Sequence, residues 1–251
     1  MGSILEWATR MNGSPSQTLS VSGARTPRLW ALVPCAGSGS RARADGPKQY
    51  APVAGQPMVL HTLAALRGVR RLAGTLVVVS AGDTFFESYD AMVLVAACGG
   101  STRAQTVLNG LNALQAQGAQ ADDWVLVHDA ARCLVTAAHI DALIDACWDD
   151  PVGGLLALKL PDTLKQEHSG RVAQTVDRSD KWLAQTPQMF RLGALQKALQ
   201  AAGDAVTDES SAMEFIGLQP RLVEGSAQNF KVTYPQDFAL AQAVLRARTQ
   251  E

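Results

Sequence analysis

ALVPCAGSGSRARADGPKQY, residues 31–50, begins as an apolar ribbon and breaks into a loop where Gly37 and Gly39 are followed by Arg41 and Lys48. An apolar run bounded by glycine reads as a buried strand, and open α/β sheets bind ligands beyond the carboxyl ends of such strands. Ala36, Gly37, Ser38 and Gly39 leave backbone N–H groups approachable, and Arg41 and Lys48 add full positive charges. That combination suits a phosphate chain. The stretch has neither the GxxxxGK[ST] spacing of a Walker loop nor the GxGxxG of a dinucleotide fingerprint. Taken alone, it reads equally as a surface turn with solvated charges.

Outward from this strand the pattern repeats. Residues 74–80 (GTLVVVS), 92–97 (MVLVAA), 123–129 (DWVLVHD) and 153–160 (GGLLALKL) are further buried-strand candidates. Between them lie stretches of helical period, with stripes at Val59, Leu63 and Leu66, at Val107, Leu111 and Leu114, and at Ile140, Leu143, Ile144 and Cys147. Such alternation predicts a three-layer α/β fold, one mostly parallel sheet with helices on both faces. Residues 161–185 break the rhythm around Ser169 and Gly170 and read as a hairpin arm leaving the sheet. Helices over 193–203 and 209–217, a short strand over 220–225, a strand-like segment at 229–233 and a helix from Pro235 follow.

The 251 residues suit one α/β domain over 28–251. Residues 1–27 are rich in Ser, Gly and Thr, with Glu6 as their lone acid, and are expected to form an extension that is disordered or weakly attached. A net charge of -1 argues against a broad basic face for nucleic acid or an anionic membrane. No apolar run approaches the roughly 18 to 20 residues that span a bilayer, and no secretory signal opens the chain. The four cysteines form no CxxC pair, which suits free thiols in a reducing compartment, so a soluble cytoplasmic protein is expected. His61, His128, His139 and His168 are too widely separated to suggest zinc.

Three further stretches carry chemistry. In VHDAAR, Asp129 ends the central strand, where it suits a divalent cation on phosphate oxygens or, more plainly, a turn or helix cap. His128 lies inside the strand pattern and reads as a core histidine. CGGSTRAQTV and TDESSAME each place a small or polar turn at a helix start, open to an anion or a base edge; Thr207 or Asp208 with Glu209, Ser210 and Ser211 also reads as an ordinary cap. Lys231 sits in apolar NFKVT, where an ammonium requires an anion, and Asp237 is near in sequence. No GxSxG elbow appears and nothing pairs Cys35 with a base. Cations, backbone donors and a single acid point to phosphoryl or nucleotidyl transfer by positioning and charge neutralisation.

Taken in order, VPCAGSGSRARADGPKQY, GGSTRAQTVLNGL, VHDAARCLV, PDTLK, TVDRSDKWLAQTPQMF, TDESSAME and VEGSAQNFKVTYPQD resemble the 2-C-methyl-D-erythritol 4-phosphate cytidylyltransferase family over residues 29–248. The resemblance implies a Rossmann-like sheet of the nucleotide-diphospho-sugar transferase type with a protruding β-hairpin arm. It implies attack of methylerythritol phosphate on the α-phosphorus of CTP, with Mg²⁺ or another divalent cation. By the same resemblance Arg41 and Lys48 stabilise the charge of the reacting phosphates, while Cys35, Ala36, Gly37, Gly100, Thr106 and Ala130 bind CTP. Asp129 serves the metal and the acceptor, and Arg132, Thr207 and Lys231 hold the acceptor, Lys231 with a catalytic share. Thr163 and Arg178, the latter also catalytic, lie on the arm that completes a partner's site in a homodimer. Ser101 stands where the family often has an acid, Thr106 where it has Ser, and no proline follows Arg132. A ribitol 5-phosphate cytidylyltransferase and a noncatalytic nucleotide-binding scaffold are the alternatives; with the chain ending at residue 251, a fused cyclase is not expected.

Overall fold

The computed structural model describes residues 25–37, 46–89 and 92–248. Residues 1–24 and the loop residues Ser38, Gly39 and Arg41 lie outside the described residues. In chain order the elements are β1 (Leu29–Pro34), β2 (Pro52–Val53), β3 (Gln56–Pro57), α1 (Met58–Arg67), β4 (Leu72–Val78), β5 (Leu94–Ala96), α2 (Arg103–Ala116) and β6 (Trp124–Val127). There follow α3 (Ala137–Cys147), β7 (Gly153–Lys159), β8 (Leu164–His168), β9 (Arg171–Val176), β10 (Trp182–Arg191), α4 (Leu192–Ala202), α5 (Glu209–Phe215), β11 (Arg221–Glu224) and α6 (Pro235–Arg248). Short 3₁₀ turns sit at Lys48–Tyr50, Phe85–Ser88 and Gly203–Ala205.

Seven strands form one sheet in the order β11-β7-β10-β6-β1-β4-β5. Pairing is parallel on both sides of β1, between β4 and β5 and between β11 and β7, and antiparallel on both sides of β10. Successive side chains of a strand point to opposite faces, and β1 divides the core accordingly. Leu29, Ala31 and Val33 pack with Val59 and Leu63 of α1 and with Ile140, Leu143 and Ile144 of α3. Trp30 and Leu32 pack with Val107, Leu111 and Leu114 of α2 and with Leu195 and Leu199 of α4. The helical stripes read from the sequence are the buried ones. Gly110 lets α2 lie close, since a Cβ there would stand 2.7 Å from Val78 Cγ2 and 2.8 Å from Leu32 Cδ1. A smaller cluster, with Val53, Met58, Leu134, Val232 and Ala241, seats α6 beside the loop that follows β6.

Two elements differ from the sequence reading. The arm is the two-stranded sheet of β8 and β9, and residues from Trp182 onward return to the main sheet as β10. Pro187 and the polar residues around it hid this strand, because proline in a strand removes a ladder donor and usually marks an edge. Here the register shifts between Ala184 and Gln188, which takes Pro187 out of the ladder, and Gln185, Thr186 and Gln188 are buried with side-chain partners. Residues 229–233 are not a strand; Val232 N–H bonds Ala131 O at 2.9 Å as part of a connecting loop. At the end of the N-terminal stretch, Arg25 bonds Asp122 at 3.1 Å and Asp123 at 2.6 Å. Among the described residues no helix is long and apolar enough to cross a membrane.

Candidate active site

The parallel strands β1 and β6 end side by side, and the loops beyond them open on a cavity of about 490 Å³. Cys35, Ala36 and Gly37 form one wall, Gly100 to Arg103 and Thr106 at the start of α2 a second, and Lys48, Gln49, Asp129 to Ala131 and Lys231 the rest. The structure thus gathers Cys35, Ala36, Gly37, Lys48, Gly100, Thr106, Asp129, Ala130 and Lys231 of the predicted set. Arg132 stands behind Asp129, its Nε 3.8 Å from Oδ2, and donates to Asn229 O at 2.6 Å. Thr207 is exposed just before α5, and Thr163 and Arg178 are exposed on the arm; none of the three lines the cavity of its own chain. Arg41 falls outside the described residues.

Local chemistry holds each wall. Gln49, buried, donates Nε2 to Cys35 O at 2.8 Å, and Lys48 Nζ donates to Val232 O at 2.7 Å, tying the 3₁₀ turn to the loop that carries Lys231. Thr102 caps α2 by accepting from Gln105 N–H, and Thr106 Oγ1 accepts from Gly100 N–H at 3.1 Å while donating to Thr102 O at 2.9 Å. A Cβ on Gly100 would run into Gln105. Burial pushes the Cys35 thiol up to about 12, so it is no nucleophile at neutral pH. Burial likewise pushes His128 down to about 4 and keeps it neutral. Its Nε2 faces the carbonyl of Arg132 at 3.2 Å and must donate; Nδ1 therefore accepts from Thr186 Oγ1–H at 3.0 Å. Thr186 Oγ1 in turn accepts Asp129 N–H at 3.0 Å, which fixes the backbone of the turn.

Asp129, 7% exposed, is the electrostatic centre. Its Oδ1 accepts from Arg103 Nε at 2.9 Å and its Oδ2 from Lys231 Nζ at 2.8 Å. Burial by itself would raise this carboxyl, but the charges of Arg103, Lys231 and Arg132 outweigh it and hold the group well below the usual carboxylate range. Lys231 thus finds its anion across the fold. Asp237, the sequence candidate, instead accepts the N–H groups of Thr233 and Tyr234, each at 2.8 Å, at the start of α6.

Sequence reasoning missed Arg103. The guanidinium gives Nε to Asp129 and both terminal nitrogens to Glu209, at 2.7 and 3.0 Å. Its one sequence signal was its place at the first position of α2, where the positive end of the helix disfavours a cation. Glu209 was camouflaged as a cap; Asp208 and Ser211 form the capping box, which leaves Glu209 to Arg103.

Among the described residues no group of three or more His, Cys, Asp or Glu could hold a metal. Asp129 is the one acidic side chain among the described residues of the cavity wall, and its oxygens keep spare lone pairs beside the two short bonds. That donor set fits a hard cation carried mainly by phosphate oxygens with one carboxylate, as Mg²⁺ commonly is, and not a cage supplied by the protein.

The profile of IspD, 2-C-methyl-D-erythritol 4-phosphate cytidylyltransferase, matches residues 29–247. The chain is 71% identical over 227 residues to a bifunctional enzyme IspD/IspF of Albidiferax ferrireducens, with 89% of this chain and 54% of that protein covered. It therefore spans about half the length of that relative. A 2-C-methyl-D-erythritol 4-phosphate cytidylyltransferase of Laribacter hongkongensis is 57% identical over 224 residues, with 87% of this chain and 96% of that one covered. A crystal structure of a 4-diphosphocytidyl-2C-methyl-D-erythritol synthase superposes with a TM-score of 0.78 at 39% identity, over 88% of this chain and 99% of that one. With a match across the whole sheet and every wall of the cavity, the chain belongs to the 2-C-methyl-D-erythritol 4-phosphate cytidylyltransferase family.

Proposed function

We propose that this protein transfers a cytidylyl group from CTP to 2-C-methyl-D-erythritol 4-phosphate, giving 4-diphosphocytidyl-2-C-methyl-D-erythritol and pyrophosphate in non-mevalonate isoprenoid synthesis. The observation that carries the reading is the convergence of Lys48, Lys231, Arg103 and the β1 loop on one cavity around Asp129, in a member of this family. A phosphate oxygen of the acceptor forms a bond to the α-phosphorus as the bond to the pyrophosphate oxygen breaks. Negative charge builds on the oxygens of that phosphorus and on the leaving group, so fixed cations aimed there lower the barrier. Lys48, held at Val232 O, supplies one of them and Arg41 a second. Cys35, Ala36 and Gly37 take the triphosphate side, with Gly100, Thr106 and Ala130 on the nucleoside side. Lys231, Asp129, Arg132 and Thr207 belong to the acceptor side. When bound, a divalent cation neutralises phosphate charge, and Asp129 would be its protein ligand.

Thr163 and Arg178 act from a second copy in this reading. Their absence from their own chain's cavity and the exposed apolar Val172 of β9 support an arm that docks on a partner in a cytoplasmic homodimer. Pyrophosphate release from CTP is expected with methylerythritol phosphate and not with ribitol 5-phosphate; the reverse preference would move the protein to the other acceptor, and no release with either would leave a nucleotide-binding scaffold. Mixing Arg178→Ala chains with Lys48→Ala chains is expected to restore part of the activity, and no recovery would count against the shared arm.

A further inference from the structure

Glu209 is fully buried at the first position of α5, and the turn on either side of it is clamped to the sheet. Gln188 of β10, itself buried, accepts Ser210 N–H at 2.7 Å and donates to Asp208 at 2.9 Å. Glu209 is thus anchored on the central sheet while its carboxylate faces Arg103, 106 positions away in sequence. Both terminal nitrogens of Arg103, whose side chain lines the cavity, are committed to Glu209, and Nε is aimed at Asp129 Oδ1. A bidentate pair of this kind fixes geometry as well as charge.

We infer that Glu209 is a positioning residue for the transfer reaction, acting through Arg103 and Asp129 on Lys231. Glu209 takes both terminal nitrogens of Arg103, which leaves Asp129 to share its two oxygens, Oδ1 with Arg103 Nε at 2.9 Å and Oδ2 with Lys231 at 2.8 Å. With Glu209 neutral, the partly buried guanidinium has Asp129 as its remaining counter-ion, turns its terminal nitrogens toward that carboxylate in competition with Lys231, and loosens the ammonium that faces the acceptor. The same bridge ties the start of α2, on the nucleotide side, to the start of α5, beside Thr207 on the acceptor side. The inference rests on the cytidylyl-transfer reading of the cavity.

The test is Glu209→Gln, which keeps shape and removes charge, measured in the full chain beside the wild type by pyrophosphate release, by calorimetric CTP binding without acceptor, and by thermal melting. The expected result is an acceptor KM raised by about tenfold, with CTP affinity changed by less than about threefold, in a protein that melts within a few degrees of the wild type. Adding Glu209→Gln to Arg103→Lys should change acceptor KM no further, because the path from Glu209 runs through Arg103. Wild-type kinetics, or losses in acceptor KM and CTP affinity alike that follow the drop in melting temperature, would overturn the inference. Should Glu209→Gln not accumulate as folded protein, Arg103→Lys makes the same test, since one ammonium does not span both carboxylates; an unchanged acceptor KM there overturns it too. An active wild type with an unaffected variant rejects only this inference, whereas a wild type that releases no pyrophosphate from CTP and methylerythritol phosphate rejects the functional reading and the inference with it.

Discussion

Strand β6 has a buried aspartate at each end, Asp123 just before Trp124 and Asp129 two residues after Val127, and both are surrounded by basic side chains. At the first end Asp123, fully buried, accepts from Arg25 at 2.6 Å, from Arg28 N–H at 2.7 Å, from Trp30 Nε1 at 3.1 Å and from Gln120 N–H at 3.0 Å. Its donors converge from the strand entry and the preceding turn, and the arginines around it lie partly in solvent. At the second end Asp129 is held by side chains from α2 and from the loop before α6, and Lys231 and Arg103 also line the cavity. A buried aspartate beside arginines is therefore no sign of function in itself. What separates the two ends is that the cations at the carboxyl end of β6 have a second side, open to a ligand, where loops diverge from parallel strands.

The comparison breaks most visibly by removing each charge in turn. Asp129→Asn is expected to cut kcat/KM by about 10³-fold, well beyond any loss of folded protein, because Lys231, Arg103 and Arg132 lose their common anchor. Asp123→Asn is expected to leave kcat/KM within about threefold while costing on the order of 2 kcal/mol in urea unfolding, the scale for weakening hydrogen bonds to a buried charged group. Equal activity losses in the two variants would erase the distinction. Next in size is Lys48→Ala. If Lys48 acts chiefly on transition-state charge, kcat falls by about 10²-fold and CTP affinity much less; equal losses in both would reassign it to ground-state binding.

The smallest effect sharpens the stapling end. Burial alone would raise the Asp123 carboxyl, but the N–H groups of Gln120 and Arg28 and the Arg25 side chain bring it down to about 2. The unfolded chain titrates near the ordinary value of about 3.9. A carboxyl depressed by folding contributes stability that is complete above that value and is lost as pH falls toward the folded one. Wild-type stability is thus expected to fall more steeply than that of Asp123→Asn between about pH 4 and pH 2. Parallel pH curves would mean that Asp123 is not held as the geometry indicates.

Much of the fold was legible because it is periodic. The strand of residues 31–34, the stripes at Val59 to Leu66 and Val107 to Leu114, and the position of Asp129 at a strand end follow from alternation and spacing alone. The strand β10 was not, since Gln185, Thr186, Pro187 and Gln188 are buried by partners from elsewhere in the chain rather than by an apolar pattern. The same reason hid the ionic wiring of the site. Nothing local says that Lys231 reaches Asp129 rather than Asp237, or that Arg103 meets Glu209; each pairing is made by the sheet order, which brings distant loops to one edge. Single residues at the cavity were readable as chemistry, and their partners were readable only in the fold.

The most direct measurement is a crystal structure with CTP bound. The account predicts the triphosphate against Ala36 and Gly37 with an oxygen about 3 Å from Lys48 Nζ, the cytosine at Gly100 and Thr106, and Lys231 still on Asp129. A nucleotide seated elsewhere, or one that leaves Lys48 and the Asp129 cluster on different sides of an unfilled cavity, would contradict it.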